Sequence, residues 1–210
     1  AAWTASPAYA AWLAQEGKVL NEVPHQNGPP GNPDHPAENM SWHAAVAFCL
    51  WIEKQRAHDL PPGFKPCLPT EAEWEYACRW RSDPAHPEGA CTPQSCSRTE
   101  YYPGDSEAAL AEVGWYDGNS GKRTHAVTEK PESHPLGLCC LHGNVWEWCA
   151  DAWNEAAYCH RASGLSDPYH KARLAEMEED VPGAKAEHPN RVVRGGSWFD
   201  SARWCRSAIR

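Results

Sequence analysis

Residues 142–148 read His142-Gly143-Asn144-Val145-Trp146-Glu147-Trp148, and residues 191–198 read Arg191-Val192-Val193-Arg194-Gly195-Gly196-Ser197-Trp198. The first stretch alternates in a period of two from Asn144 to Cys149, which predicts a strand. The second predicts a short strand over Arg191 to Arg194 that runs into paired glycines. Adjacent glycines at a strand end signal a bulge or a close approach of another backbone. Upstream, the apolar period lengthens to that of helices. Trp42, Ala45, Val46, Cys49 and Leu50 form one stripe of a helix from Ser41 to Gln55. Thr70 and Glu73 form a capping box for a third helix, in which Trp74, Ala77 and Cys78 share a face. A first helix is expected from Pro7 to Glu16, with Ser6 as N-cap and Gly17 at its end.

Between these signals the pattern breaks down. Residues 81 to 135 are rich in Pro, Gly, Ser and Asp and read as loop, and Tyr169 to Asp180 reads as a short charged helix in an insertion, a solvated face. Strand and helix do not alternate, so a parallel α/β sheet is disfavoured and an α+β domain with much irregular loop is expected.

The 210 residues suit one domain, 1–210, with one sizeable core. At 41% hydrophobic and 22% charged residues, the chain has a globular rather than a disordered composition. It holds 12 Trp against 3 Phe, so its core must satisfy many indole N–H groups as well as pack rings. The net charge of −9 argues against a nucleic-acid partner. No apolar run approaches the roughly 18 residues of a membrane span, and the first residues carry no basic leader of a signal peptide. Ten Cys include no C-x-x-C. Cys49, Cys78 and Cys149 lie among apolar residues and are expected as buried thiols, which favours a cytoplasmic setting, with surface display as the alternative.

Four segments together resemble the formylglycine-generating-enzyme, or sulfatase-modifying-factor, family. They are His35-Pro36-Ala37-Glu38-Asn39-Met40-Ser41-Trp42, Leu68-Pro69-Thr70-Glu71-Ala72-Glu73-Trp74-Glu75-Tyr76-Ala77, and the two stretches quoted first. The resemblance implies a C-type-lectin-like fold. By comparison with the family, both ends of the chain look trimmed.

The family's oxidase binds copper through two thiolates after Gly-Gly-Ser, a soft donor pair suited to Cu(I). Here Asp200 stands in place of the first and Cys205 falls at the second by counting, so that chemistry is not expected. An iron-dependent relative uses closely spaced histidines on a helix, a pattern absent from the scattered His of this sequence. The resemblance also implies a calcium site at Gly143, Val145 and Glu147, a set of oxygen ligands of the kind Ca²⁺ needs, although Cys140 occupies the upstream ligand position.

The last stretch resembles the variable region of diversity-generating retroelement proteins. Ala202, Arg203, Cys205, Arg206, Ser207, Ala208 and Arg210 match its fixed frame. Phe199, Asp200, Ser201, Trp204 and Ile209 stand at its variable positions. The expectation is a non-enzymatic ligand-binding module displaying Trp198, Phe199, Asp200, Ser201, Trp204 and Ile209 to a protein or other macromolecular ligand. The Gly195-Gly196 bend, Arg203 and Arg206 are expected to hold that face. The alternative for Trp198, Phe199 and Trp204 is packing within the core. The alternative function is an oxidase or non-heme iron enzyme domain.

Overall fold

The computed structural model describes residues 34–56, 58–80, 98–130, 134–153, 155 and 190–210. The expected helices at Pro7–Glu16 and Tyr169–Asp180 lie outside these residues. The elements in chain order are α1 (Trp42–Arg56), α2 (Glu71–Cys78), α3 (Glu107–Val113), β1 (Glu147–Ala152), β2 (Arg191–Arg194) and a 3₁₀ turn (Ala202–Cys205). The two strands pair with each other in a two-stranded sheet. Short helices, few strands and long loops make this an α+β chain.

By its contacts the chain divides into two compact units. Of the described residues, the first takes those within 39–70, 148–155 and 190–192, and the second takes those within 34–38, 71–147 and 193–210.

In the first unit, Ser41 caps α1 by accepting the Ala44 N–H at 3.1 Å. Trp42, Ala44, Val46, Ala47 and Cys49 are buried along α1, with Cys149, Ala150 and Val192 in the same unit. The predicted stripe therefore needs correction at one end: Leu50 is 48% exposed. Indoles here satisfy their N–H groups as the composition demands. Trp42 Nε1 donates to the Cys149 carbonyl at 2.9 Å, and Trp148 Nε1 to that of Met40 at 2.9 Å. The Arg191 guanidinium lies 3.9 Å above the Trp42 ring, a cation–π contact.

The second unit is built around Tyr101, Leu110, Tyr116, Ala202 and Cys205. α3, within the stretch whose composition predicts loop, is capped by Ser106 accepting from Ala109 N. Its buried contribution is Leu110.

The strand expected from Asn144 begins instead at Glu147. Asn144 has a left-handed backbone, φ 64°, incompatible with an extended strand. Its side chain has another task. The amide oxygen accepts His125 N–H at 3.0 Å, and the amide nitrogen donates to the His125 carbonyl at 3.0 Å. Its backbone N–H reaches the Trp115 carbonyl and its carbonyl accepts the Trp198 N–H. A single buried Asn thus ties three loops together.

Candidate functional site

The last loop starts from two glycines in the left-handed region, Gly195 at φ 95° and Gly196 at φ 75°. A Cβ on Gly196 would stand 2.9 Å from both Cys205 Sγ and the Trp204 carbonyl oxygen. The close approach expected from the sequence is therefore real, and it folds the 3₁₀ turn back onto the glycines.

Beyond the glycines, residues sort into two sets. Ala202, Cys205 and Ser207 are buried. Phe199 is 71% exposed, Trp204 is 39% exposed, and Ser201 is exposed. Trp198, Asp200 and Ile209 are half-buried. Trp198 and Phe199 meet edge to face, 5.5 Å between centroids, and the Arg203 guanidinium lies 5.2 Å from the Trp204 ring. The expected display residues thus divide: Phe199, Ser201 and Trp204 face outward, while Trp198, Asp200 and Ile209 form the margin.

Backbone groups hold this loop. Its Asp200 carbonyl accepts Asp117 N–H at 2.9 Å, and Ser120 Oγ donates to the Trp198 carbonyl at 2.8 Å. Tyr101 Oη donates to the Ala202 carbonyl at 3.0 Å. His142 Nδ1 lies 2.7 Å from the Cys205 carbonyl, while its Nε2 accepts the Tyr102 N–H at 2.9 Å. One nitrogen donating and one accepting defines a neutral imidazole, and burial pushes its pKa down to about 4.

The principal anchor is one that the sequence reading missed. Arg194 is fully buried and donates to the carbonyls of Ser207 at 2.8 Å and Ile209 at 2.5 Å. Its charge meets Glu75 at 2.5 Å and buried Glu71 at 3.8 Å, and Arg210 joins Glu71 at 2.6 Å. Arg206, expected to hold the face, donates through Nε to the Arg203 carbonyl at 2.9 Å and pairs with exposed Glu100 at 3.3 Å. Arg203 is exposed. An ion pair in water holds little compared with a buried guanidinium network.

Two metal sites follow from the resemblance. For copper, Asp200 Oδ2 already accepts the Ser197 hydroxyl at 2.5 Å, and burial pushes the Cys205 thiol up to about 12. One occupied carboxylate and one protonated thiol do not fit Cu(I). Among the described residues, no three His, Cys, Asp or Glu side chains gather to hold a metal.

For calcium, the donors are mostly carbonyls. The Val145 carbonyl lies 3.9 Å from the Cβ direction of Gly195. Gly143 is pinned at φ 79°, where a Cβ would sit 2.0 Å from the Trp115 carbonyl oxygen. The Glu147 carboxylate accepts the Trp74 indole N–H at 2.6 Å, and burial raises its pKa to about 7. No cation among the described residues pairs with it. A desolvated carboxylate lacking a counter-ion fits a hard cation. Cys140, at the upstream position, is half-buried in a left-handed conformation, its thiol 3.6 Å from Asn144 Nδ2.

A fold of short elements, a Gly-Gly-anchored last loop and an outward aromatic pair place this chain among C-type-lectin-like domains. The chain belongs to the sulfatase-modifying factor enzyme 1-like family, whose domain model matches residues 3–210. It is 30% identical over 205 residues to a formylglycine-generating enzyme of Thermomonospora curvata, covering 97% of this chain and 55% of that protein. It is 28% identical over 171 residues to the inactive C-alpha-formylglycine-generating enzyme 2 of Bos taurus, covering 80% of this chain and 40% of that protein. The chain spans about half the length of these curated relatives. Among solved structures, variable protein 1 of Treponema denticola matches with a TM-score of 0.56 and 27% identity, covering 93% of this chain and 72% of that one.

Proposed function

We propose that this chain is a ligand-binding domain and a variable protein of a diversity-generating retroelement, without oxidase chemistry. Its last loop presents Phe199, Ser201 and Trp204 to a protein or other macromolecular partner, with Trp198, Asp200 and Ile209 at the rim. One observation carries the reading: buried Ala202, Cys205 and Ser207 alternate with outward positions whose side chains contribute little to the core. Aromatic side chains on a rigid turn supply contact area at low entropy cost. The likeness to a protein named as variable supports the same reading. No helix among the described residues is long and apolar enough to cross a membrane.

Within this reading Gly143, Val145 and Glu147 hold a structural calcium ion. The ion would neutralise the Glu147 carboxylate and fix the segment that receives the last loop.

The test is sequencing of the gene's 3′ end across a population of the source organism. Substitutions confined to codons 199, 200, 201, 204 and 209 are expected, with Cys205 and Ser207 fixed. A uniform sequence overturns diversification. The rival reading, an oxidase, draws on the likeness to the Thermomonospora curvata enzyme. It requires stoichiometric copper in the purified protein and conversion of a cysteine-containing peptide to formylglycine. Either result would remove the non-enzymatic reading.

A further inference from the structure

Away from the last loop, the second unit contains a small pocket open to solvent. None of residues 195–210 lines it. Its walls include the apolar side chains of Val113, Val127 and Leu138. A further wall is formed by the rings of Tyr102 and His134, 4.8 Å apart and tilted by 52°. His134 is buried beside the backbone of Ala77 and Cys78.

Lys130 supplies the one ammonium in this lining. It is half-buried, donates to the Ala111 carbonyl and stands 4.0 Å over the Trp115 ring. An ammonium carries three donors, so one carbonyl leaves capacity for more. No carboxylate among the described residues pairs with it. In a chain with 28 acidic against 19 basic residues, a half-buried cation that no described carboxylate pairs with is out of pattern. Arg194, the buried cation nearby in sequence to the last loop, has two glutamates. Burial lowers the Lys130 pKa, a cost that a bound anion would reverse.

These features select a ligand class. A neutral apolar molecule would fill the walls and leave the ammonium uncompensated. A divalent cation would be repelled by Lys130. A phosphate calls for more than one cation and gains nothing from aliphatic walls. We propose that this pocket binds a small organic carboxylate, its anionic end on the Lys130 ammonium and its short apolar body against Val113, Val127 and Leu138. The site is separate from the display loop and does not depend on the function proposed for it.

The experiment is an NMR-monitored titration of the whole chain with 4-methylpentanoate and 3-phenylpropanoate, and in parallel with their neutral amides. The acids are expected to bind and to shift the amides of Val127, Lys130 and Leu138. The neutral amides should bind at least about tenfold more weakly, the value of one charge-assisted hydrogen bond. Lys130→Met should weaken the acids by the same factor and leave the amides unchanged, while Lys130→Arg should retain acid binding. A Phe199→Ala/Trp204→Ala variant should bind the acids as the unaltered chain does. Equal binding of acid and amide, no binding of either at millimolar concentration, or shifts confined to another surface would each overturn the proposal. Should Lys130→Met fail to fold, the acid–amide comparison on the unaltered chain decides alone.

Discussion

Arg194 and Glu147 are both charged groups taken out of water in the second unit, and they are treated in opposite ways. Arg194 has two carboxylates and two carbonyls around it. Glu147 has one indole N–H. The first charge is compensated by the chain itself. The second has no cationic partner among the described residues, so it is poised to take up a proton or a cation. A buried charge with partners is a fastener, whereas one without them responds to the solution.

The largest expected effect comes from breaking the fastener. Arg194→Met removes a guanidinium from beside Glu75 and buried Glu71 and releases the carbonyls of Ser207 and Ile209. A loss of about 3–5 kcal/mol is expected in urea unfolding, enough to unfold a marginal domain. A loss below about 1 kcal/mol would show that the network is not what holds the loop.

Glu147 sharpens the other side. Its folded pKa, about 7, lies above its ordinary value of 4.5. The folded state therefore binds the proton more tightly, and metal-free protein loses stability as pH rises from 4.5 through 7, by on the order of 3 kcal/mol. Glu147→Gln should remove that slope. Calcium added at pH 8 should raise the melting temperature of the unaltered chain and not that of Glu147→Gln; no calcium response would remove the proposed ion. His142 works with the reverse sign. Its folded pKa of about 4 lies below its ordinary 6.5, so its contribution is present above pH 6.5 and is lost as pH falls through 4. Stability profiles of His142→Gln and Glu147→Gln should therefore separate the two limbs.

Gly196→Ala comes next. The new methyl would meet Cys205 Sγ and the Trp204 carbonyl at 2.9 Å, at a φ of 75°. A loss of about 1–3 kcal/mol is expected by thermal unfolding. Smallest of all is Phe199→Ala with Trp204→Ala, expected to change stability by about 0.5 kcal/mol or less while abolishing partner binding. A large drop in melting temperature would assign both rings to the core instead.

Much of this was legible in the residues. The start of α1 follows from Ser41 and Trp42, and β2 falls at Arg191–Arg194 as expected. The glycine pair announced the close approach. The buried Cys49, Cys78 and Cys149 were legible from their apolar neighbours. Asn144 was misread because alternation of side chains looks the same whether the backbone is extended or turned, and only the amide's partners reveal the turn. α3 escaped because Glu107–Val113 buries one side chain, too few for a period. Arg194 was missed as the anchor because its partner Glu75 lies 119 residues away in the chain. Nothing local marks such a pairing.

The way the last loop is fastened has a consequence for how it can change. Tyr101, Ser120, His142 and Arg194 all grip carbonyl oxygens of the loop, at Ala202, Trp198, Cys205, Ser207 and Ile209. Every amino acid carries a carbonyl, so this grip is blind to the identity of the residue it holds. Codons 199, 201 and 204 can therefore be randomised together with little risk to folding, provided the glycine pair, Ala202 and Cys205 are kept. Such a domain would serve as a ready-made library scaffold, in which most members fold and differ only in what they recognise.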